Sequence, residues 1–177
     1  MNVHFIAIGG SALQTNTTGD SNVAVGYSAL GSNLIASDNV AVGYAAAEAN
    51  KANGNTAIGY ATLLTNLGSS NTVLGSYSPR SLLTGDSNIF IGAETAINLL
   101  NGSNNVFLGN RITVPKSPST PILAGNDTSN SIIIADGLGN QKIFIQKNGN
   151  TGIGLGNNVI PVNRLDIKGG VAIGNNF

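Results

Sequence analysis

The sequence lacks cysteine and tryptophan, contains a single histidine, and has only 9% charged residues in 177 positions. Without cysteine, the chain cannot be a disulfide-stapled miniprotein, hold a thiolate metal site or use a cysteine nucleophile. Its 8 basic and 8 acidic side chains balance, which excludes the basic face of an electrostatic nucleic-acid binder. The hydrophobic content of 41% is too high for ordinary disorder, so a folded protein is expected.

Long apolar runs are also missing. No run reaches the roughly 18 residues that a membrane helix needs, and no basic region followed by an apolar core and a cleavage site opens the chain. We therefore expect no direct membrane insertion by this segment. These absences do not assign a compartment, because the sequence can be a piece of a longer protein.

Glycine and asparagine, with 24 and 26 copies, are abundant and recur at a fixed period. A pentad of a polar or aromatic residue, three mostly apolar residues and glycine occurs seven times. Its glycines are 16 or 17 residues apart, a regularity that indicates a repeat architecture. The pentads end at Gly9, Gly26, Gly43, Gly59, Gly75, Gly92 and Gly109.

The pentad has the period of a strand, because aliphatic or Thr side chains stand one and three positions before the glycine. Val, Ile and Thr favour strands, whereas glycine inside a helix costs about 1 kcal/mol relative to alanine. Glycine, and asparagine better than most residues, tolerates the positive φ expected at coil corners. Asparagine can also form ladders between stacked coils. The repeat therefore predicts an all-β protein, a parallel β-roll (β-solenoid) of about seven coils over residues 1–113.

Alternation assigns the two faces of each strand. We predict that the aliphatic pair, such as Val23 and Val25 or Val40 and Val42, fills the interior. The residue between them would then face outward, and an exposed apolar stripe usually marks a protein interface. The predicted interface consists of Ala24, Ala41, Ala57, Val73, Phe90 and Phe107.

The unit Asn-Val-Ala-Val-Gly-Tyr-x-Ala-Leu, as in Asn22–Leu30, resembles the head repeats of YadA-like trimeric autotransporter adhesins. Similar repeats occur in phage tail fibres and bacterial surface proteins. The likeness covers residues 5–113, although the repeat here is longer than the family's usual unit. It implies a left-handed roll, a homotrimer and a role in attachment at an extracellular cell surface, or on a virion tail fibre. Carried over by position, Ala24, Ala41 and Ala57 would face the partner chains.

The last third of the sequence departs from the period. Residues 114–128 contain Pro115, Pro118 and Pro121, a composition that predicts a crossing segment. Residues 129–177 form short apolar runs separated by hairpin signals such as Asp136-Gly137 and Asn148-Gly149, which predict a small second β region. The stretch from Gly152 to Gly174 resembles one that precedes self-cleaving chaperone domains in phage tail fibres.

Catalytic chemistry has little support in the sequence. The single His4 cannot by itself supply a hydrolase triad or a zinc site, and the eight carboxylates are scattered. Asp20 and Asp86 occupy equivalent turn positions about four units apart, so we interpret both as turn residues. A solenoid acyltransferase would have coils of three hexads and a placed histidine, neither of which is present. We expect no enzyme activity, no metal and no cofactor.

The sequence therefore predicts a trimeric, adhesive fibre segment whose partners are its own copies and a protein or glycan receptor. A phage or virus-like tail fibre and a monomeric solenoid binding protein are the alternatives. Tyr27, Tyr44, Tyr60 and Tyr77 recur just after the glycine and are candidate receptor contacts. They could equally be wall residues between coils or between chains.

Overall fold

The computed structural model describes residues 4–79, 81–82, 84–97, 99–114, 126–127, 129–156 and 159–169, which form β-strands and no helix. The strands are β1 (Phe5–Ile8), β2 (Asn22–Val25), β3 (Val40–Val42), β4 (Ala49–Asn50), β5 (Thr56–Ile58), β6 (Thr65–Asn66), β7 (Thr72–Leu74), β8 (Ser81–Leu82), β9 (Ile89–Ile91), β10 (Leu99–Asn101), β11 (Val106–Leu108), β12 (Asn126–Asp127), β13 (Ile132–Ala135), β14 (Gln141–Ile145), β15 (Thr151–Ile153) and β16 (Leu165–Ile167).

The pentads form the main wall of a β-solenoid. Strands β1, β2, β3, β5, β7, β9, β11 and β13 lie side by side in that order and all pair in parallel. Equivalent residues are opposite each other, so Ala24 pairs with Ala41 and Ala41 with Ala57. The predicted β-solenoid is confirmed, with about eight turns, because β13 adds one turn after β11.

A second, shorter wall closes the coils. Strands β4, β6 and β8 pair in parallel there, as do β10 and β12 further along the chain. Backbone hydrogen bonds between successive coils also join the corners, such as Ser28 N–H to Gly10 O at 2.9 Å and Leu30 N–H to Ala46 O at 3.0 Å. Each coil therefore supports the next along its whole circumference.

The corners use residues other than those expected. Glycine does take the first corner position, with φ of 133° at Gly26, where a Cβ would lie 2.6 Å from the carbonyl carbon of Gly43. The left-handed positions after it are held by ordinary residues, such as Ser28 and Leu30, rather than by asparagine. Their backbone hydrogen bonds to neighbouring coils hold them in this conformation, which isolated residues of these types rarely adopt.

The C-terminal strands continue the same sheet. β13, β14 and β15 form an antiparallel meander, and β16 then pairs in parallel with β15. The hairpins predicted at Asp136-Gly137 and Asn148-Gly149 connect these strands, which confirms both turn signals. Of the predicted crossing segment, residues 115–125 and 128 lie outside the described residues, as does the apolar run Val171–Gly174.

One narrow hydrophobic core runs along the solenoid. The main wall contributes one buried side chain per coil, from Ala24 to Ile133, and the C-terminal meander adds Phe144. The opposite side contributes residues such as Leu30, Leu63 and Ile112.

Candidate functional site

The structure reverses the predicted orientation of the pentad. The residues predicted to form an interface are fully buried inside the chain's own coils, so they cannot face a partner, and that prediction is wrong. They are Ala24, Ala41, Ala57, Val73, Phe90 and Phe107, each with an exposed fraction of 0%. The side chains predicted to fill the roll, including Val23, Val25, Val40 and Val42, are only partly buried and lie on the outer face.

The reason for the reversal lies at the first position of the pentad. Asn22 has the same parity as Ala24 in β2, and both are buried. Because alternate residues of a strand share a face, an inward asparagine brings the middle residue inward as well. The Asn22 amide donates to Ala36 O at 2.8 Å, so this polar group is paired inside the coil. Pairing of that kind removes most of the cost of burying it.

The outer face of the main sheet is uncharged and mostly apolar over its described strands, with Thr56, Thr72 and Thr151 as its polar members. Two side chains from every strand point outward, all of them exposed or half-buried, and none is charged. We call this surface the outer face. Its members are Ile6, Ile8, Val23, Val25, Val40, Val42, Thr56, Ile58, Thr72, Leu74, Ile89, Ile91, Val106, Leu108, Ile132, Ile134, Ile143, Ile145, Thr151, Ile153, Leu165 and Ile167.

The C-terminal meander extends this face and leaves no gap. Ile132 and Ile134 pair with Ile145 and Ile143, which places all four on the same side. The 11 strands of the sheet give the outer face a length of about 50 Å at the usual strand spacing. A continuous exposed apolar surface of this size makes the outer face a candidate interaction surface.

Four stacked tyrosines stand beyond the glycine corner that borders the outer face. The ring centroids of Tyr27 and Tyr44 are 5.4 Å apart, and those of Tyr44 and Tyr60 are 5.1 Å apart, with nearly parallel planes. Tyr77 meets Tyr60 edge-on at 5.1 Å. We call these four residues the tyrosine ladder. Their exposed fractions fall from 54% at Tyr27 to 37% at Tyr77, so the ladder lies on the surface and packs between coils.

The pentad asparagines form a buried ladder inside the solenoid. In each step, the side-chain oxygen of one asparagine accepts the backbone N–H of the next, as from Asn39 to Asn22 at 3.0 Å and from Asn55 to Asn39 at 2.9 Å. The expected asparagine ladder is thereby confirmed. Its members are Asn22, Asn39, Asn55, Asn71, Asn88 and Asn105.

A second row of asparagines converges on the same turns. The Asn50 and Asn55 amides both donate to Ala52 O, at 2.6 and 3.2 Å, and Asn55 also donates to Asn50 Oδ1 at 3.2 Å. The Asn66 amide repeats this contact at Gly68 O, at 2.6 Å. These bonds satisfy turn carbonyls that would otherwise be buried without partners, so the asparagines stabilise the longer outer turn of this repeat.

The carboxylates hold turns. Asp20 and Asp86 each accept a backbone N–H from the preceding coil at 2.6 Å, from His4 and Ser69 respectively, which confirms their interpretation as turn residues. The His4 N–H is the main reason that the pKa of Asp20 is lowered. The pKa of Asp166 is also lowered, chiefly by the Asn163 side-chain amide, which donates to it at 2.6 Å.

The described side chains bring together no catalytic constellation. Among them, no three His, Asp or Glu residues come close enough to share a metal ion. The ion pairs are exposed and separate: His4–Asp20 at 3.6 Å, Arg111–Glu94 at 3.2 Å and Lys142–Asp136 at 3.1 Å. The described part of the chain also contains no helix that could span a membrane.

The outer face and the tyrosine ladder are therefore the two candidate functional surfaces of the described residues. The sequence singled out the tyrosines but assigned the outer-face residues to the interior. The shared parity of Asn22 and Ala24 was the signal that could have corrected it. Searches of protein-family models, of curated proteins and of solved structures find no match to this chain.

Proposed function

We propose that this chain is a segment of a trimeric surface fibre that attaches to another cell or surface, and that the outer face is where its three copies meet. The observation that carries the proposal is the uncharged outer face, continuous from β1 to β16. Such a face is costly to leave in water, and obligate interfaces resemble a core cut in half. The partner is a second copy, because a repetitive sheet face presents the same uncharged surface to each neighbouring chain.

The rigidity of the coil stack supports a fibre. Backbone pairs and the asparagine ladder run in one direction along the solenoid, so each coil is held by its neighbours. Three parallel copies would present identical surfaces at a fixed spacing. Weak contacts repeated on three chains would then supply avidity without a deep pocket.

Solution mass tests the assembly. Light scattering on the intact chain should give three times the mass of one chain. Ile58→Glu and Ile91→Glu place a charge on the outer face, where the side chains are 39% and 43% exposed. Both variants should remain folded and become monomeric, because an unpaired charge in an apolar interface is strongly unfavourable.

The matched control is Ile35→Glu. Ile35 is 64% exposed but lies outside the outer face, so this variant should keep the trimeric mass. A wild-type chain that stays monomeric at high concentration would contradict the proposal and favour a monomeric solenoid binding protein. A dimer would retain the interface but contradict the trimer.

Adhesion requires a separate measurement. Beads that carry the trimer should bind to target cells or matrix more strongly than beads with the same mass of Ile58→Glu. If the two kinds of beads bind equally well, adhesion through avidity is contradicted, even if the wild-type chain is a trimer.

A further inference from the structure

We infer that the tyrosine ladder is part of the contact between chains, with a neighbouring copy covering the exposed edges and hydroxyls of Tyr27, Tyr44, Tyr60 and Tyr77. This inference rests on the proposed assembly and assigns it a second contact element. It also chooses between the two roles that the sequence leaves open, receptor contact and wall between chains.

The tyrosine ladder lies directly beside the outer face. In each of coils two to four, a single glycine separates the last outer-face residue from the tyrosine, as in Val25-Gly26-Tyr27 and Ile58-Gly59-Tyr60. Tyr27, Tyr44 and Tyr60 therefore border the proposed interface directly, and Tyr77 follows its glycine one residue later. Protein interfaces have an apolar core surrounded by a polar, partly exposed rim, and the tyrosines occupy such a rim position.

Stacking along the ladder determines which parts of the tyrosine rings stay exposed. Stacking at 5.1 to 5.4 Å uses the faces between successive rings of Tyr27, Tyr44 and Tyr60. The exposure that remains therefore lies largely at ring edges and hydroxyls. A sugar that stacks on an aromatic face finds no free face between these rings, whereas ring edges and hydroxyls suit the side chains and backbone of a protein partner. Tyrosine supplies this kind of rigid, amphipathic contact at low entropic cost.

The extent of the ladder is related to the size of the outer-face residues. The ladder spans four of the five parallel coils whose first outer-face residue is Val or Thr, those of Val23, Val40, Thr56 and Thr72, and it does not extend to Val106, where Asn110 follows the glycine. Where that residue becomes Ile89, the corner carries Ala93 in place of a tyrosine. The four tyrosines thus follow strands whose first outer-face side chain is small. This is expected if the rings and the outer-face side chains together fill the space between two copies.

The charge of the corner residues also changes at the point where the ladder ends. The second corner position is uncharged from Ser11 to Tyr77 and then carries Glu94 and Arg111, which pair with each other at 3.2 Å. Depletion of charge is a compositional mark of an interface core, and it ends where the ladder ends.

The test is selective because the chain has four tyrosines, all in the ladder, and no tryptophan. The assembled wild type and the Ile91→Glu variant are treated with N-acetylimidazole, and O-acetylation of each tyrosine is followed by mass spectrometry. If a neighbouring copy covers the ladder, acetylation in the assembly should be roughly tenfold slower than in the dispersed variant.

Two substitutions locate the effect. Tyr44→Ser removes the ring at the centre of the ladder and should raise the concentration at which the trimer dissociates by roughly tenfold or more, as for a buried aromatic contact. Tyr44→Phe keeps the ring and should have a smaller effect. Circular dichroism of both variants checks that the coils remain folded.

Mass and reactivity together separate the possible failures. A trimer whose tyrosines react as fast as those of Ile91→Glu would overturn this inference and leave the proposed assembly intact. Tyrosines that become protected only when a receptor or glycan is added to the trimer would overturn it too, and would assign the ladder to that ligand. A monomeric wild type would overturn both proposals.

Discussion

Asn71 and Asn88 are joined twice along the solenoid axis. Asn71 Oδ1 accepts the backbone N–H of Asn88 at 3.0 Å and its side-chain amide at 2.9 Å. Both residues are fully buried, so the two bonds lie where water cannot replace them. The asparagine ladder therefore maintains the coil-to-coil register as well as filling turn positions.

Asn71→Ala should destabilise the chain by about 2 kcal/mol or more, because it leaves the buried Asn88 N–H and the Gly85 carbonyl without their Asn71 partner. Asn53→Ala is the control. Asn53 is exposed and its side chain accepts one bond, from Ser37 N–H at 2.9 Å. Chemical denaturation of both variants measures the difference, and equal losses would contradict a structural role for the ladder.

Gly43→Ala should destabilise the solenoid strongly. Gly43 has φ of 134°, a strain of about 1–3 kcal/mol for other residues, and its added Cβ would lie 2.7 Å from the carbonyl carbon of Gly59. Gly137→Ala is the matched change, since nothing lies within 4 Å of its Cβ. Thermal unfolding should show a large loss for the first variant and little change for the second. The reverse order would contradict the stacked-corner geometry.

The buried middle position of the pentad should tolerate neither a smaller residue where it is Phe nor a larger residue where it is Ala. Phe90→Ala removes a fully buried ring that packs 5.2 Å from Phe107, so a loss of about 3–5 kcal/mol is expected. Ala41→Leu adds volume to a fully buried site and should cost about 1–3 kcal/mol. If either variant unfolds like wild type while changing the solution mass, the middle position faces a partner after all.

Acid should weaken the C-terminal meander. The Asn140 side-chain amide donates to Asp136 at 3.0 Å, and Lys142 adds to it, so the pKa of Asp136 lies well below its usual range. A carboxyl whose pKa is lowered by folding stabilises the fold above its unfolded pKa, about 3.9 for Asp. This stabilisation is lost progressively as the pH falls below that value toward the folded pKa.

Asp136→Asn should therefore flatten the dependence of unfolding free energy on pH below about pH 4. Denaturation at several acidic pH values measures this slope. An unchanged slope in the variant would show that other groups dominate, with Asp166 and its lowered pKa the next to test.

Much of the architecture follows from local chemistry. The step between Gly26 and Gly43, the strand-forming residues before them and the polar turns predicted parallel coils, because each signal acts within one repeat. The hairpin at Asn148-Gly149 was equally local. The turn roles of Asp20 and Asp86 could be predicted because short acidic side chains accept backbone N–H groups wherever turns stack.

The functional surface could not be predicted in the same way. The sequence by itself determined the period, the strand positions and the alternation of two side-chain sets. Only the tertiary structure decided which set lies inside. Alternation is symmetric with respect to inside and outside, and hydrophobicity favoured Val23 and Val25 over Ala24. The buried asparagine at the first position sets the parity of the strand, so the middle residue lies inside whether it is small, as Ala24, or large, as Phe90, and the aliphatic pair forms the outer face.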